Sequence, residues 1–380
     1  MSRQGRIKGR RRLFFTLLVA GGLSIQLPAL WTIGKLSGSY GLAAAGCALL
    51  SLPILLATRR PPGQWFATRL QLLGLWPFFI WWAVCLTYVM LAPIGLLVAA
   101  LTRVTLDQAL LWTGAAAIVG GVRALRRRPV IRRRDVEIAD LPPALDGYRV
   151  AQISDLHCGP FVSPAQVRRW VADVNQIGAE LIAVTGDLIA SGDGYVTGVA
   201  EALGGLRSRD GVFACMGNHD YFTDGDKLAA ALETNGLNVL RNRGVILGRG
   251  DARFFLAGVD DTWSGRHDLT RALVERPPGM TTLLLSHDPD LFPGAAAADI
   301  DLTLSGHTHG GQLAFPLAPR RWNMARIITP FTSDLYHLGD ATIYVNRGLG
   351  FTGPPVRIGA APEIAVITLR RAAASVALAA

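Results

Sequence analysis

The chain has 380 residues, half of them hydrophobic, with a mean hydropathy of +0.31 and a formal net charge of +10. That length allows two or three domains, and the hydropathy is high for an enzyme soluble throughout. The charge is uneven: residues 1–134 carry 18 Lys and Arg against one acid, Asp107, and the remainder carries 20 bases and 27 acids. The basic residues flank apolar runs and the acidic remainder has no basic patch to follow a phosphate backbone, which argues against a nucleic-acid partner.

In chain order, four apolar stretches come first, at 13–33, 40–57, 75–100 and 104–122, and only the last holds a charge, Asp107. Each approaches the roughly 20 residues that a helix needs to cross a bilayer core. Pro28, Pro53, Pro77 and Pro93 fall inside them, where membrane helices tolerate proline better than soluble ones do. Residues 1–125 therefore read as an all-α transmembrane region of about four spans, with the lipid bilayer as partner. Lys and Arg crowd the N-terminus, the loop with Arg59, Arg60 and Arg69, and the stretch 123–134, whereas the other two loops carry only Lys35 and Arg103. By the positive-inside rule this predicts a multi-pass protein of the inner (cytoplasmic) membrane, with the C-terminal two-thirds of the chain on the cytoplasmic side. A twin-arginine signal at Arg11-Arg12 is the competing reading of the first stretch and leaves the other three as spans. The four cysteines show no spacing of a disulfide framework or metal knuckle.

After a basic linker at 126–147, the texture changes over 148–370 to alternating strands and helices, ending in a flexible tail at 371–380. Short apolar runs each lead into a polar motif: YRVAQI into Ser154-Asp155-Leu156-His157, ELIAV into Thr185-Gly186-Asp187, VFACM into Gly217-Asn218-His219-Asp220, TTLLL into Ser286-His287-Asp288, and DLTL into Ser305-Gly306-His307-Thr308-His309-Gly310-Gly311. Between the first two, Ser163 and Pro164 open a helix with Val167, Trp170, Val171 and Val174 on one face and Gly178 beyond its end. Such a rhythm predicts an α/β enzyme whose ligands gather at the carboxyl ends of strands.

Five of the seven histidines lie in those motifs. One histidine at a strand end is ordinarily structural; a series of carboxylates, a carboxamide and imidazoles at successive strand ends is the donor set of a divalent metal site. Phosphate esters need such help, because the anion repels nucleophiles and the alkoxide leaves poorly. Two divalent metals about 3.5–4 Å apart neutralise the phosphate and generate hydroxide near neutral pH. Mixed imidazole and carboxylate ligands suit Mn, Fe or Zn.

The ordered set DLH, GD, GNHD, SHD and GHTHGGQ resembles the calcineurin-like metallophosphoesterase superfamily. With the apolar N-terminus, it is most similar to a bacterial membrane-associated branch that includes a UDP-2,3-diacylglucosamine pyrophosphatase. The resemblance implies an α/β/β/α four-layer sandwich and a centre of two divalent metal ions. By position, Asp155, His157 and His309 would hold the first, Asn218, His287 and His307 the second, and Asp187 would bridge them. His219 would contact the phosphate and protonate the leaving oxygen. Implied is hydrolysis of a phosphodiester or pyrophosphate in a lipid-linked or nucleotide-linked substrate. Alternatives are a tethered hydrolase of soluble phosphoesters and a membrane sensor that binds ligand without catalysis. Asp260 and Asp261 read as turn residues more than site residues. Asp220 could orient His219 or cap a helix, and Gln312 could line the pocket. His267 and His337 read as surface residues, and Cys158 and Cys215 as small core residues.

Overall fold

The computed structural model describes residues 20–58, 69–125, 128–222, 224–250 and 252–372. It divides into two compact units, one up to Arg126 and one from Arg127 onward.

The first unit is all helical: α1 (Leu27–Ser37), α2 (Tyr40–Thr58), α3 (Arg69–Leu101) and α4 (Leu106–Ala124). Residues 20–24 are also helical, and the chain turns at Ile25 and Gln26, where Pro28 has no N–H for the carbonyl one turn back. Polar side chains of this unit pair with one another. Gln26 donates to Ser51 Oγ at 2.9 Å and accepts from Trp81 Nε1 at 2.7 Å, and Thr32 shares a 2.6 Å bond with Tyr88. α3 and α4 approach closely because a Cβ on Gly121 would lie 2.7 Å from the Val84 backbone. Meanwhile Leu42, Leu49, Leu97, Trp112 and Val122 are exposed. Of the four expected spans, one stretch among the described residues, Gly74–Leu101, is long and apolar enough to cross a membrane; Tyr40–Leu56 is a shorter apolar run. α4 is diluted by Gly, Ala and polar residues. The first expected span begins at residue 13, and its part up to residue 19 lies outside the described residues. The basic N-terminus, Arg59, Arg60 and residues 373–380 of the expected tail also lie outside them, whereas Arg371, expected at the start of that tail, is the last residue of a β-strand.

The second unit holds two six-stranded sheets, ordered β1-β12-β2-β3-β4-β5 and β10-β11-β9-β8-β7-β6. In the first, β2 (Arg149–Ile153), β3 (Leu181–Thr185) and β4 (Val212–Cys215) run parallel, flanked by β1 (Val130–Ile138), β12 (Glu363–Arg371) and β5 (Asn238–Val239). In the second, β7 (Ala252–Gly258), β8 (Thr282–Leu285) and β9 (Leu302–Ser305) run parallel beside β6 (Arg243–Arg249), β10 (Asp334–Leu338) and β11 (Ala341–Val345). The two-residue period of a strand sorts the core. Val150, Leu181, Ala183 and Phe213 face Phe254, Leu256, Leu283 and Leu302 between the sheets. Their neighbours Ala151, Ile182 and Ala214 face outward under α5 (Pro164–Asn175), α6 (Val196–Leu203) and α7 (Gly225–Thr234), where Trp170, Val199 and Leu228 pack. Phe255, Ala257 and Leu284 face the other way, under α8 (Leu269–Ala272) and α9 (Phe292–Ala297). α5 begins as expected, with Ser163 accepting from Gln166 N at 3.3 Å.

The stretch 126–147, read from sequence as a linker before a first strand near Tyr148, contains strand β1. This edge strand pairs in parallel with β12 from Val130 through Ile138. Its charged alternation concealed it, since only Val136 and Ile138 are buried. Arg134 meets Asp334 through Nε at 2.7 Å and Nη2 at 2.8 Å. Arg132 Nε lies 2.9 Å from buried Glu363 Oε2, near enough for an ion pair though misaligned for a hydrogen bond.

Candidate metal centre

All five motifs leave the C-terminal ends of parallel strands: β2 delivers Asp155 and His157, β3 Asp187, β4 Asn218 and His219, β8 His287, and β9 His307 and His309. The sheets are tied beneath them, Gln152 Nε2 donating to Ser305 O at 2.9 Å across the layer. The chain turns abruptly there. Asp155, His157, Asp187, His307 and His309 have φ of 51°, 45°, 54°, 70° and 54°, the left-handed region that side chains avoid. Each costs on the order of 1–3 kcal/mol and persists only because its surroundings impose it. Gly306 leaves the space: a Cβ there would strike Ser154 Oγ and the Asp155 carboxylate.

These turns gather two buried donor clusters, and His219 forms a third group with His157 and Asp187 at the rim. In one, His309 Nε2 lies 2.9 Å from His157 Nε2 and 3.4 Å from Asp155 Oδ1. In the other, His287 Nε2 lies 3.2 Å from His307 Nδ1. Asp187 belongs to both, its Oδ2 being 3.5 Å from His157 Nε2 and 3.2 Å from His287 Nε2. Asn218 is buried and its Oδ1 has no hydrogen-bond partner, which is costly unless a cation takes it up. Ring nitrogens this close, beside carboxylates and an unsatisfied carbonyl oxygen, fit divalent metal ions. The donor atoms of Asp155, His157 and His309 lie within 4.8 Å of one another, as do those of Asp187, His287 and His307.

The electrostatics agree. Burial pushes His157 down to about 3 and holds His309 well below the ordinary imidazole value, leaving both rings without a charge that would repel a cation. Burial also disfavours charge on His287 and Asp187, yet their mutual attraction outweighs it. The His287 imidazolium is held up to about 10 and the Asp187 carboxyl well below the carboxylate range. Burial pushes Asp155 up to about 6, with the Asp187 charge adding to it.

His219 stands beside the clusters. Its backbone N–H donates to Asp187 Oδ1 at 2.8 Å, and its Nδ1 lies 2.9 Å from Ala190 O. A carbonyl only accepts, so Nδ1 carries a proton and Nε2 remains for exchange. Its ring packs on Phe222 at 4.5 Å, and Trp263 packs on His307 at 5.2 Å.

Three residues of the site, Asp220, Arg357 and Thr352, have places there that their sequence context does not signal. Asp220 neither orients His219 nor caps a helix. Its carboxylate accepts from the backbone N–H groups of Asp187, Leu188, Ile189 and Gly217 at 2.8–3.1 Å, clamping the turn that carries Asp187. Arg357 is fully buried and gives its protons to the carbonyls of Arg347, Gly350, Ala360 and His309, with Nη2 3.0 Å from His309 Nδ1. A guanidinium only donates, so the neutral His309 ring carries its proton on Nε2 in this arrangement, and metal binding there must displace that proton. Thr352 Oγ1 lies 2.8 Å from His309 Nε2 and 3.2 Å from His157 Nε2. Neither Arg357 nor Thr352 stands in a motif; each reaches the site from a distant loop. Gln312 holds that loop, donating to Thr352 O and Pro354 O and accepting from Thr352 N. Asp260 binds Tyr221 and Arg241, and Asp261 caps the Trp263–Ser264 turn. His267 and His337 are exposed. Cys158 and Cys215 are free and buried, and burial raises both thiols, Cys158 to about 12.

Comparison with known proteins agrees with this geometry. The calcineurin-like phosphoesterase family matches residues 148–311. A Danio rerio relative named transmembrane protein with metallophosphoesterase domain is 35% identical over 284 residues, 70% of this chain and 62% of its own length. This chain thus spans less than two thirds of that relative. YkuE of Bacillus subtilis, an uncharacterized metallophosphoesterase, is 34% identical over 239 residues, 60% of this chain and 82% of its own length. A solved archaeal phosphodiesterase overlaps 53% of this chain and 84% of its own at 14% identity with a TM-score of 0.31, too distant to add weight. At the identity and coverage shared with YkuE, the chain belongs to the calcineurin-like phosphoesterase family.

Proposed function

We propose that the chain is a membrane-held metallophosphoesterase that hydrolyses a phosphodiester or pyrophosphate bond in a lipid-linked or nucleotide-linked substrate. The observation that carries this reading is Asp187 standing between two clusters, within 3.5 Å of His157 and 3.2 Å of His287. Asp155, His157 and His309 would hold one divalent cation, Asn218, His287 and His307 the other, with Asp187 bridging. The donor set suits Mn, Fe or Zn. When bound, the two cations neutralise the phosphate oxygens and lower the pKa of an attacking water. The chain's own residues do the rest. Asp220 and Arg357 fix the turns so that the donors stay convergent, and His219 offers Nε2 to protonate the leaving oxygen.

Two features support a substrate with an apolar or aromatic portion. Phe222 and Trp263, the rings packed at a tilt against His219 and His307, are each 61% exposed, so they offer open faces at the rim of the centre. The tether is also short, since the six peptide steps from Ala124 to Val130 reach at most about 22 Å. A glycolipid precursor joined to a nucleotide, as in the pyrophosphatase branch that the motifs resemble, meets both conditions. For the membrane part we propose four spans with both termini in the cytoplasm. The ion pair of Lys35 with Asp107 supports the alternation, because it puts the first and third inter-span loops at one end of the helical unit.

Purified full-length protein loaded with Mn, Fe or Zn in turn should hydrolyse diesters or pyrophosphates, and no turnover with any metal would sink the enzyme reading. A long-chain lipid pyrophosphate in mixed micelles should show a higher kcat/KM than its deacylated analogue; equal values would leave a hydrolase of soluble esters. A reporter fused after residue 370 should behave as cytoplasmic, and periplasmic activity would overturn the topology.

A further inference from the structure

The basic run that the sequence offers to lipid headgroups is partly engaged elsewhere: Arg132 and Arg134 pair with Glu363 and Asp334 inside the α/β unit. A different segment has the properties that run lacks. Residues 315–328 follow the His307–Gly311 turn and fold back on themselves, with Phe315 N bonding Trp322 O at 2.8 Å and Met324 N bonding Leu313 O at 3.2 Å. Asn323 fastens the loop, donating to Pro319 O at 2.7 Å and Arg320 O at 3.2 Å and accepting from Arg326 N at 3.1 Å. The loop is therefore internally bonded. Even so, Leu317, Trp322, Met324, Ile327 and Ile328 are 83, 64, 56, 79 and 66% exposed.

Scattered apolar residues on a surface need no explanation, but five on one short bonded loop concentrate exposed apolar surface in one segment, as an interaction site does. Arg321 and Arg326 are exposed among them, and residues 315–328 contain no acid. The partner must accept aliphatic chains, a tryptophan and guanidinium groups together. A plane of anionic phosphates over hydrocarbon does so: tryptophan favours that interface, arginine binds its headgroups, and aliphatic side chains sink just below them. A bilayer is also the surface that the short tether keeps within reach.

We propose that residues 315–328 form a membrane-interface loop. It inserts Leu317, Trp322, Ile327 and Ile328 into the headgroup region of an anionic bilayer, with Arg321 and Arg326 on the lipid phosphates. Because the loop is continuous with the His307–Gly311 turn, its insertion seats the metal centre at the lipid surface. This rests on the membrane-held reading above and extends it with a second, independent contact.

The test uses the full-length chain in vesicles, with an environment-sensitive fluorophore on Ile327→Cys. Labelling is selective because Cys47, Cys85, Cys158 and Cys215 are all buried. Val274→Cys, at a residue 74% exposed outside the loop, is the control. In phosphatidylglycerol-containing vesicles the label at 327 should shift to the blue and be quenched by lipid-borne spin labels, while the label at 274 stays aqueous. Arg321→Glu and Arg326→Glu should each weaken the insertion about five-fold. A label at 327 that aqueous iodide quenches as freely as the one at 274 overturns the proposal. So does protection that is equal in pure phosphatidylcholine and survives charge reversal, and so does protection that follows protein density, which would mean self-association. If the loop fails while the chain still floats with vesicles, the helical attachment stands; a chain that does not float at all removes the membrane-held reading and the loop with it.

Discussion

The two units differ in what they leave exposed and in where they bury polar groups. In the helical unit the polar groups of Gln26, Ser51, Thr32 and Tyr88 pair inside while Leu42, Leu49 and Trp112 face outward. In the α/β unit, leucine and phenylalanine fill the space between the sheets, and its buried polar residues are concentrated at one edge, where Asp155, Asp187, Asn218 and the imidazoles converge. Each pattern shows what its surroundings supply. A helix in hydrocarbon gains nothing by hiding leucine and must satisfy its polar groups internally. A domain in water gains by hiding leucine and collects buried polar groups only where a ligand repays their desolvation.

The contrast can be broken most severely at Asp187. Asp187→Asn should remove nearly all turnover and lower bound metal, measured by elemental analysis, with the fold intact; normal metal content and activity would defeat a shared centre. His219→Ala sharpens the picture, because it should keep both metals and lose about 10²–10⁴-fold in rate. That loss should shrink for substrates with good leaving groups, which need no proton; an equal loss for good and poor leaving groups would contradict the role.

Arg357→Met comes next. It leaves four carbonyls without their donor and should lower metal affinity about 10–100-fold, as loss of a supporting contact commonly does; unchanged affinity would make Arg357 a mere core residue. Metal affinity should also rise with pH. The folded, metal-free His287 keeps its proton up to about 10, above the ordinary imidazole value, so a metal must displace that proton and acid opposes binding. Calorimetry in buffers of different ionisation enthalpy would expose the released proton, and pH-independent affinity would contradict it. The smallest effect belongs to the helical unit. Gln26→Ala leaves Ser51 and Trp81 without their partner and should destabilise that unit by about 1–3 kcal/mol, leaving metal content unchanged. A loss of metal in that variant would mean that the two units do not divide their tasks as described.

By itself the sequence determined what depends on residue type and local order. Carboxylates and imidazoles placed just after apolar runs marked the candidate donors, their strand ends and the family, because metal chemistry restricts which side chains can serve as donors. It also specified α5, whose cap, proline and apolar face are local signals. The tertiary structure alone decided what depends on contacts between distant segments. β1 was hidden by its charged alternation and exists because β12, more than two hundred residues away, pairs with it. Asp220 and Arg357 are ordinary residue types whose roles come from backbone groups that the fold brings to them. The left-handed turns at Asp155, His157, Asp187, His307 and His309 carry no local signature, because Asp and His enter that region more readily than most side chains yet still stand outside it in most places. Only the surrounding hydrogen bonds and glycine-sized gaps make those turns affordable, and those exist only once both sheets have closed around them.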